Sequence, residues 1–305
     1  FTAFPKFLQG PLTRYGALQA DLFPARPGWD TAARGAERVC VGLGKKLLLA
    51  TAAQGAAEKL LDTSAVSCPA AWLGAACYAL QIYFDFSGYT DMAIGLGTLF
   101  GLNLPENFND PYYAQSITDF WRRWHMTLSQ WFRDYIYIPL GGSRRGKPRQ
   151  IVNLLIVWAL TGLWHGASWN FALWGLYFAA LLIVEKFVLA KLLDRLPAFF
   201  RHVYALFFIL LGWVLFRTED FSQLAALLRT LFTGGAAVTA EPFVFVLRQY
   251  GIELLLGALL CTPLGKRLLE ALDRTRFGRV VKYVLLLAIF ALALLALVRS
   301  GVNAF

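Results

Sequence analysis

Residues 70–101, AAWLGAACYALQIYFDFSGYTDMAIGLGTLFG, decide the fold class. A helix needs about twenty mostly apolar residues to cross the hydrocarbon core of a bilayer, and this run exceeds that length without a Lys or an Arg. Its only charges are Asp85 and Asp91. An ionised aspartate at the centre of a membrane helix costs about 2.5–3.5 kcal/mol on insertion scales, so both need partners, such as Tyr, Ser or Arg, from a neighbouring helix. For this pair structural glue is favoured over catalysis. Outward from this run, residues 167–188, 204–216, 242–261 and 280–298 are further candidate spans, the second only if it starts near Phe199. Residues 151–163 are too short to cross alone. Residues 39–61, broken by Lys45, Lys46, Glu58 and Lys59, read as interfacial or half-buried, and residues 224–232 as a short surface or re-entrant helix. The expectation is an all-α, polytopic integral membrane protein built as a multi-helix bundle.

Composition agrees with this reading. The 305-residue chain is 58% hydrophobic and 16% charged, against about 25% charged in an ordinary soluble domain. Its mean hydropathy is +0.52, and too few charges remain to cover a 34.1 kDa globule. A soluble enzyme, a disordered tail and a coiled coil are excluded on that ground. The net charge of +10, from 29 Lys and Arg against 19 Asp and Glu, would suggest nucleic acid in a soluble protein. Here basic residues at the cytoplasmic ends of membrane helices account for it, and no nucleic-acid partner is expected. Cys40, Cys68, Cys77 and Cys261 show no CxxC pair and no metal-ligand spacing; they read as small apolar packing residues, and no metal is expected. The opening residues from Phe1, with Pro5, Gly10 and Pro11, read as a loop or broken helix entering from an upstream segment. The expected organisation is one membrane-embedded domain over residues 1–305, a fragment lacking upstream membrane helices and a short C-terminal end.

Loop charge sets the orientation. Residues 141–150 hold Arg144, Arg145, Lys147 and Arg149; residues 185–201 hold Lys186, Lys191, Arg195 and Arg201; residues 265–282 are also basic, and all three should be cytoplasmic. Residues 102–120, with Glu106, Asp110 and Asp119, and residues 218–241, with Arg229 their one basic residue, should face the other side. Residues 151–188 would then go in and come back out on one side. A helix over residues 151–163 rises about 20 Å against a hydrocarbon core of about 30 Å, which would leave His165 well inside the membrane. An ionisable side chain at that depth is a candidate functional residue by default.

His165 lies in Gly162-Leu-Trp-His-Gly-Ala-Ser-Trp-Asn170, where surroundings poor in water favour the neutral, proton-accepting imidazole and Gly166 leaves one side open. The competing reading is a buried histidine hydrogen-bonded to a neighbouring helix. His125 closes Phe120-Trp-Arg-Arg-Trp-His125, within a run over residues 116–137. On one continuous helix Trp121, His125, Leu128 and Phe132 would share a face, and Arg123, Thr127, Gln130 and Asp134 another. Arg122 and Arg133 could hold donor phosphates, because guanidinium binds phosphate bidentately, although snorkelling arginines on an interfacial helix are the favoured alternative. His202, in a basic loop, reads as solvated. The sequence contains no Gly-rich phosphate loop, GxSxG elbow or HExxH, against an ATPase, a serine hydrolase and a zinc protease.

Five ordered segments carry a further signal: residues 81–97, QIYFDFSGYTDMAIGLG; 105–109, PENFN; 120–125, FWRRWH; 137–143, YIPLGGS; and 163–166, LWHG. Together they resemble the core of the membrane-bound O-acyltransferase family, in its bacterial alginate O-acetylation branch, and residues 4–15, FPKFLQGPLTRY, and 302–305, VNAF, extend the likeness to both ends. The resemblance implies a bundle with re-entrant or short helices around a central tunnel, His165 as the catalytic histidine and His125 as a second functional one. Arg122, Arg133, Trp164 and Asn107 are carried as candidate substrate-binding positions. It implies no bound cofactor, with acetyl-CoA or another acyl carrier as cytoplasmic donor. It also implies a periplasmic acetyltransferase partner, a polysaccharide acceptor and a multi-pass place in the bacterial inner membrane. Phe178 stands where relatives often carry His, so no third histidine has a role, and Ala304 stands where Pro is usual. D-alanyl transfer to teichoic acid by the same fold, and a transporter or flippase whose histidines relay protons, are the alternatives.

Overall fold

The computed structural model describes residues 10–14, 16, 27–62, 66–233 and 241–300. The resemblance over residues 4–15 lies partly, and that over residues 302–305 wholly, outside them. Among the described residues all regular structure is helical. The chain divides into two compact units, one of residues 1–56, 80–109 and 248–305, the other of residues 57–79 and 110–247.

In the first unit α1 (Trp29–Gly44) passes through a π-helical segment, Lys45–Ala50, into α2 (Thr51–Leu61), whose residues from Ala57 on belong to the second unit. Against α1 packs the second half of α3 (Cys68–Leu99), a helix of 32 residues. The two cross antiparallel at paired glycines. A Cβ on Gly42 would lie 2.6 Å from the Gly88 carbonyl oxygen, and one on Gly35 2.8 Å from that of Gly95. Such close approach needs residues without side chains, as at small-residue crossings in membranes. It carries charge into the contact: Arg38 donates to Asp91 from Nη2 at 2.9 Å and to Glu106 from Nη1 at 2.6 Å, and Lys45 reaches the other Asp91 oxygen at 2.6 Å. Lys46 pairs with Asp85 at 2.5 Å. The aspartates thus find their partners on a neighbouring helix, one an arginine as expected. Residues 39–61 are half-buried, the second of the two readings: Leu47, Ala50, Ala53 and Ala56 are buried, Glu58 and Lys59 are exposed, and two of the lysines neutralise α3.

Among the described residues three helices are long and apolar enough to cross a membrane: α9 (Ala198–Arg217), α11 (Glu241–Leu260) and α13, over Arg276–Arg299. On α13 (Arg276–Ser300) Val284, Leu287, Leu295 and Val298 are exposed, as lipid-facing positions are. Its buried Lys282 donates to Glu37 of α1 at 2.8 Å and pairs with Asp273, at the end of α12 (Leu264–Asp273), at 2.7 Å.

The second unit holds α4 (Ile117–Arg123), α5 (Met126–Phe132), α6 (Gly146–His165), α7 (Trp169–Val184), the single turn α8 (Ala190–Leu193), α9 and α10 (Phe221–Thr233). α6 and α7 form an antiparallel hairpin closed by Gly162 against the Phe171 backbone and Gly175 against the Trp158 carbonyl. At 20 residues α6 is longer than residues 151–163, because its first turn takes in Lys147, Pro148 and Arg149. Proline lacks only an N–H that the first turn leaves unpaired anyway, so Pro148 starts the helix rather than stopping it. The rise is then about 30 Å rather than 20 Å. The depth assigned to His165 from the shorter helix therefore falls away.

Candidate active site

Five of the six candidate residues, His125, His165, Trp164, Arg122 and Arg133, lie in the second unit; Asn107 lies in the first, fully buried. α4 brings the first histidine into place. Its N-cap Ser116 accepts the Asp119 N–H at 2.9 Å, and Asp119 accepts back from the Gln115 N–H at 3.2 Å, a reciprocal cap signalled by Ser-x-x-Asp in the sequence. The helix then stops at Arg123. Trp124 is extended and His125 is left-handed, at φ 43° and ψ 55°. Residues 116–137 are therefore not one helix, and Trp121 and His125 do not share its face. No Gly or Pro marks the break. Tertiary packing makes it: Trp124 stacks on Phe120 at 5.6 Å and meets Trp213 of α9 at 4.8 Å. A left-handed conformation costs an ordinary residue about 1–2 kcal/mol, so the surroundings must impose it.

α6 ends on the second histidine. The His165 ring sits among aromatic rings: Trp164 at 4.8 Å, Trp174 edge-on at 5.0 Å and 83°, Phe216 at 5.1 Å and Phe171 at 6.2 Å. A Cβ at Gly166 would meet the Phe171 ring at 2.7 Å, so glycine there lets that ring close on the histidine. The His165 nitrogens make no hydrogen bond to any described residue, which removes the reading of a histidine tied to a neighbouring helix. Trp164, more than half exposed, also lies 6.2 Å from the buried His125 ring, so one indole borders both imidazoles. Two aromatic histidine neighbours, Trp174 and Phe216, escaped sequence reasoning. They come from other helices, and only the hairpin and the Asn170-to-Phe216 carbonyl hydrogen bond of 3.0 Å bring them in.

The arginines differ. Arg122 is exposed and pairs with no described residue, whereas the Arg133 Nε donates to Asp134 at 2.8 Å. His202 is not a solvated loop residue: it lies in α9, its Nδ1–H donates to the Ala114 carbonyl at 2.9 Å, and its ring packs on Tyr113 at 4.9 Å.

Chemically, an imidazole held by rings alone, at a helix end, offers both nitrogens to a substrate as base or nucleophile. The chain matches known proteins on the same ground. A sequence profile described as "MBOAT, membrane-bound O-acyltransferase family" covers residues 1–219. The chain is 40% identical over 76% of its length to the probable alginate O-acetylase AlgI of Azotobacter vinelandii. It is 36% identical over 74% of its length to a peptidoglycan O-acetyltransferase of Helicobacter pylori. To a teichoic acid D-alanyltransferase of Bacillus subtilis it is 38% identical, over only 36% of its length. It spans 46% of the first of these relatives and 44% of the second, about half their length. With its histidine segments inside the matched region and its helices long enough to cross a bilayer, the chain belongs to the membrane-bound O-acyltransferase family.

Proposed function

We propose that the protein is a multi-pass enzyme of the bacterial inner membrane that takes an acetyl group from a cytoplasmic donor, acetyl-CoA or another acyl carrier, and passes it across the bilayer. The product is an O-acetylated exopolysaccharide such as alginate, completed by a periplasmic acetyltransferase partner. The observation that carries this reading is the His165 imidazole, ringed by aromatic side chains with no hydrogen bond to a described residue. As a base, His165 takes the proton of the acceptor hydroxyl while its oxygen attacks the donor carbonyl; the C–O bond forms, the C–S bond breaks, and the proton goes to the departing thiolate. As a transient carrier, His165 itself attacks the carbonyl, releases the thiol and hands the acetyl group to the hydroxyl. Either route needs a path to both faces, which we place in a tunnel lined by short or re-entrant helices, with Trp164, Arg122 and Arg133 as contacts for substrate.

The D-alanyl alternative is less favoured, since the relatives of that name match little more than a third of the chain. The test is purified protein in vesicles supplied with acetyl-labelled CoA and, separately, an acetylated carrier protein. Labelled protein or labelled acceptor is the expected result. Transport of solute without any acylated product would replace the enzyme by the transporter reading.

A further inference from the structure

The N–H groups at the start of a helix have no partner inside it, and in α4 those of Ile117, Thr118 and Asp119 each find one outside. Asp119 N–H goes to the Ser116 hydroxyl at 2.9 Å. The other two go to one distant side chain: Glu185 accepts Ile117 N–H at 2.7 Å on one carboxylate oxygen and Thr118 N–H at 2.8 Å on the other. Tyr204 O–H adds a longer contact at 3.4 Å. Glu185 is only 5% exposed, and no Lys or Arg pairs with it among the described residues. A buried carboxylate without a cation is costly to keep, and a helix of two turns is marginal by itself. Glu185 lies at the far end of the α6–α7 hairpin, the element that carries His165, while α4 runs directly into His125. One carboxylate therefore fixes the helix that leads to one histidine onto the hairpin that carries the other.

We propose that Glu185 is a positioning residue that, by capping α4, anchors the helix that leads into the aromatic-packed left-handed turn at His125 and with it the placing of that imidazole relative to His165. The importance of that placing rests on the acyltransferase reading above; the capping of His125's helix does not. Glu185→Gln keeps the shape but sets an NH2 donor against a backbone N–H, and Glu185→Asp keeps the charge but is too short to reach both donors. Each is purified and treated with diethyl pyrocarbonate, with carbethoxylation mapped to His125, His165 and His202 by mass spectrometry. In folded Glu185→Gln, His125 should become several-fold more reactive with His165 changing by less than about twofold, and kcat should fall about tenfold or more while KM stays within about twofold. Glu185→Asp should be intermediate, and it keeps the comparison available if the glutamine variant does not fold. Unchanged reactivity of His125 in a folded variant would overturn the proposal, as would raised reactivity with kcat within about twofold of the parent. The modification is read without turnover, so a parent protein that transfers no acetyl group would fell the enzyme reading and leave this test standing.

Discussion

Gly42 and Gly88 face each other across α1 and α3 so closely that a Cβ on either would lie 2.6–2.7 Å from the other's carbonyl oxygen. This contact decides more than packing. With the backbones that close, Arg38 and Lys45, one turn to either side of the crossing, reach Asp91, and a helix carrying two aspartates becomes compatible with a low-dielectric setting.

Gly42→Ala should therefore destabilise the protein although alanine is the better helix former. The propensity gain is about 1 kcal/mol, while a methyl forced against backbone costs about 1–3 kcal/mol or more. A net loss of up to about 2 kcal/mol is expected, read as a lower midpoint of thermal unfolding in detergent. The control is Gly251→Ala in α11, where nothing lies within 4 Å of the new methyl. That change should raise the midpoint or leave it unmoved, and an equal fall in both variants would refute the steric account.

Asp91→Asn leaves Lys45 without its carboxylate and Arg38 with Glu106 alone. Breaking a buried pair by removing one partner costs about 3–5 kcal/mol, whereas exchanging both partners for apolar residues is often neutral. The double variant Lys45→Met with Asp91→Leu should thus recover most of the stability that Asp91→Asn loses. If the double variant is no better than the single one, the pair is doing something other than compensating buried charge.

Three of the five apolar spans expected were plain, because each is a property of consecutive residues: α9, α11 and α13 lie close to where hydropathy places them, while residues 70–101 and 167–188 fold as α3 and α7 without counting among the described helices apolar and long enough to cross. The sequence hid what depends on contacts between helices. Lys45 and Lys46 look like a wet surface when charge is counted along the chain and like neutralised partners only once α3 lies beside them. The break at Trp124 and His125 contains no turn residue, since stacking on Phe120 and Trp213 imposes it. Pro148 and its basic neighbours imitate a loop while starting α6. His165 and His125 stood out because their segments are distinctive, yet the rings that surround His165 come from α7 and α9 and were not foreseeable from its own segment.

The basic residues 141–150 and 265–282 are expected on the cytoplasmic face, but residues 102–120 do not all stand across the bilayer from residues 185–201, since Glu185 holds the Ile117 and Thr118 N–H groups. With Cys40, Cys68, Cys77 and Cys261 replaced, cysteines introduced at the exposed Ser143 and Lys266 should both resist a membrane-impermeant thiol reagent applied outside intact cells, and both should react after permeabilisation. Labelling of one from outside would break the common placing of these two segments.

Arg122 and Arg133 differ in what they have free to offer. Arg122 pairs with no described residue, whereas Arg133 is engaged by Asp134, so Arg122→Lys should weaken CoA binding more than Arg133→Lys. Loss of the bidentate fork is expected to raise Kd about five- to tenfold, with unchanged yield of folded protein. Calorimetric titration with desulfo-CoA gives the comparison. Equal, unchanged affinities in both variants would leave these arginines as interfacial side chains only.

His165→Ala carries the heaviest consequence. Its ring contributes contacts to Trp164, Trp174 and Phe216 but no hydrogen bond to a described residue, so alanine orphans no polar partner there and leaves at most a cavity. A loss of about 2–3 kcal/mol is the most such a truncation should cost, which a stable membrane domain survives. Acyl transfer, in contrast, should vanish, whether the imidazole serves as base or as carrier, because alanine can do neither. His125→Ala should also lose most activity, but with a different signature. Alanine keeps the Cβ that makes a left-handed residue costly and also empties a buried site beside Trp164, so His125→Ala should lose more stability than His165→Ala. The comparison is made on detergent-purified proteins of matched elution profile, with acetyl transfer counted per mole. Turnover by the His165 variant near that of the parent would remove the reacting group from this mechanism, and the proposed chemistry would have to be sought elsewhere in the fold.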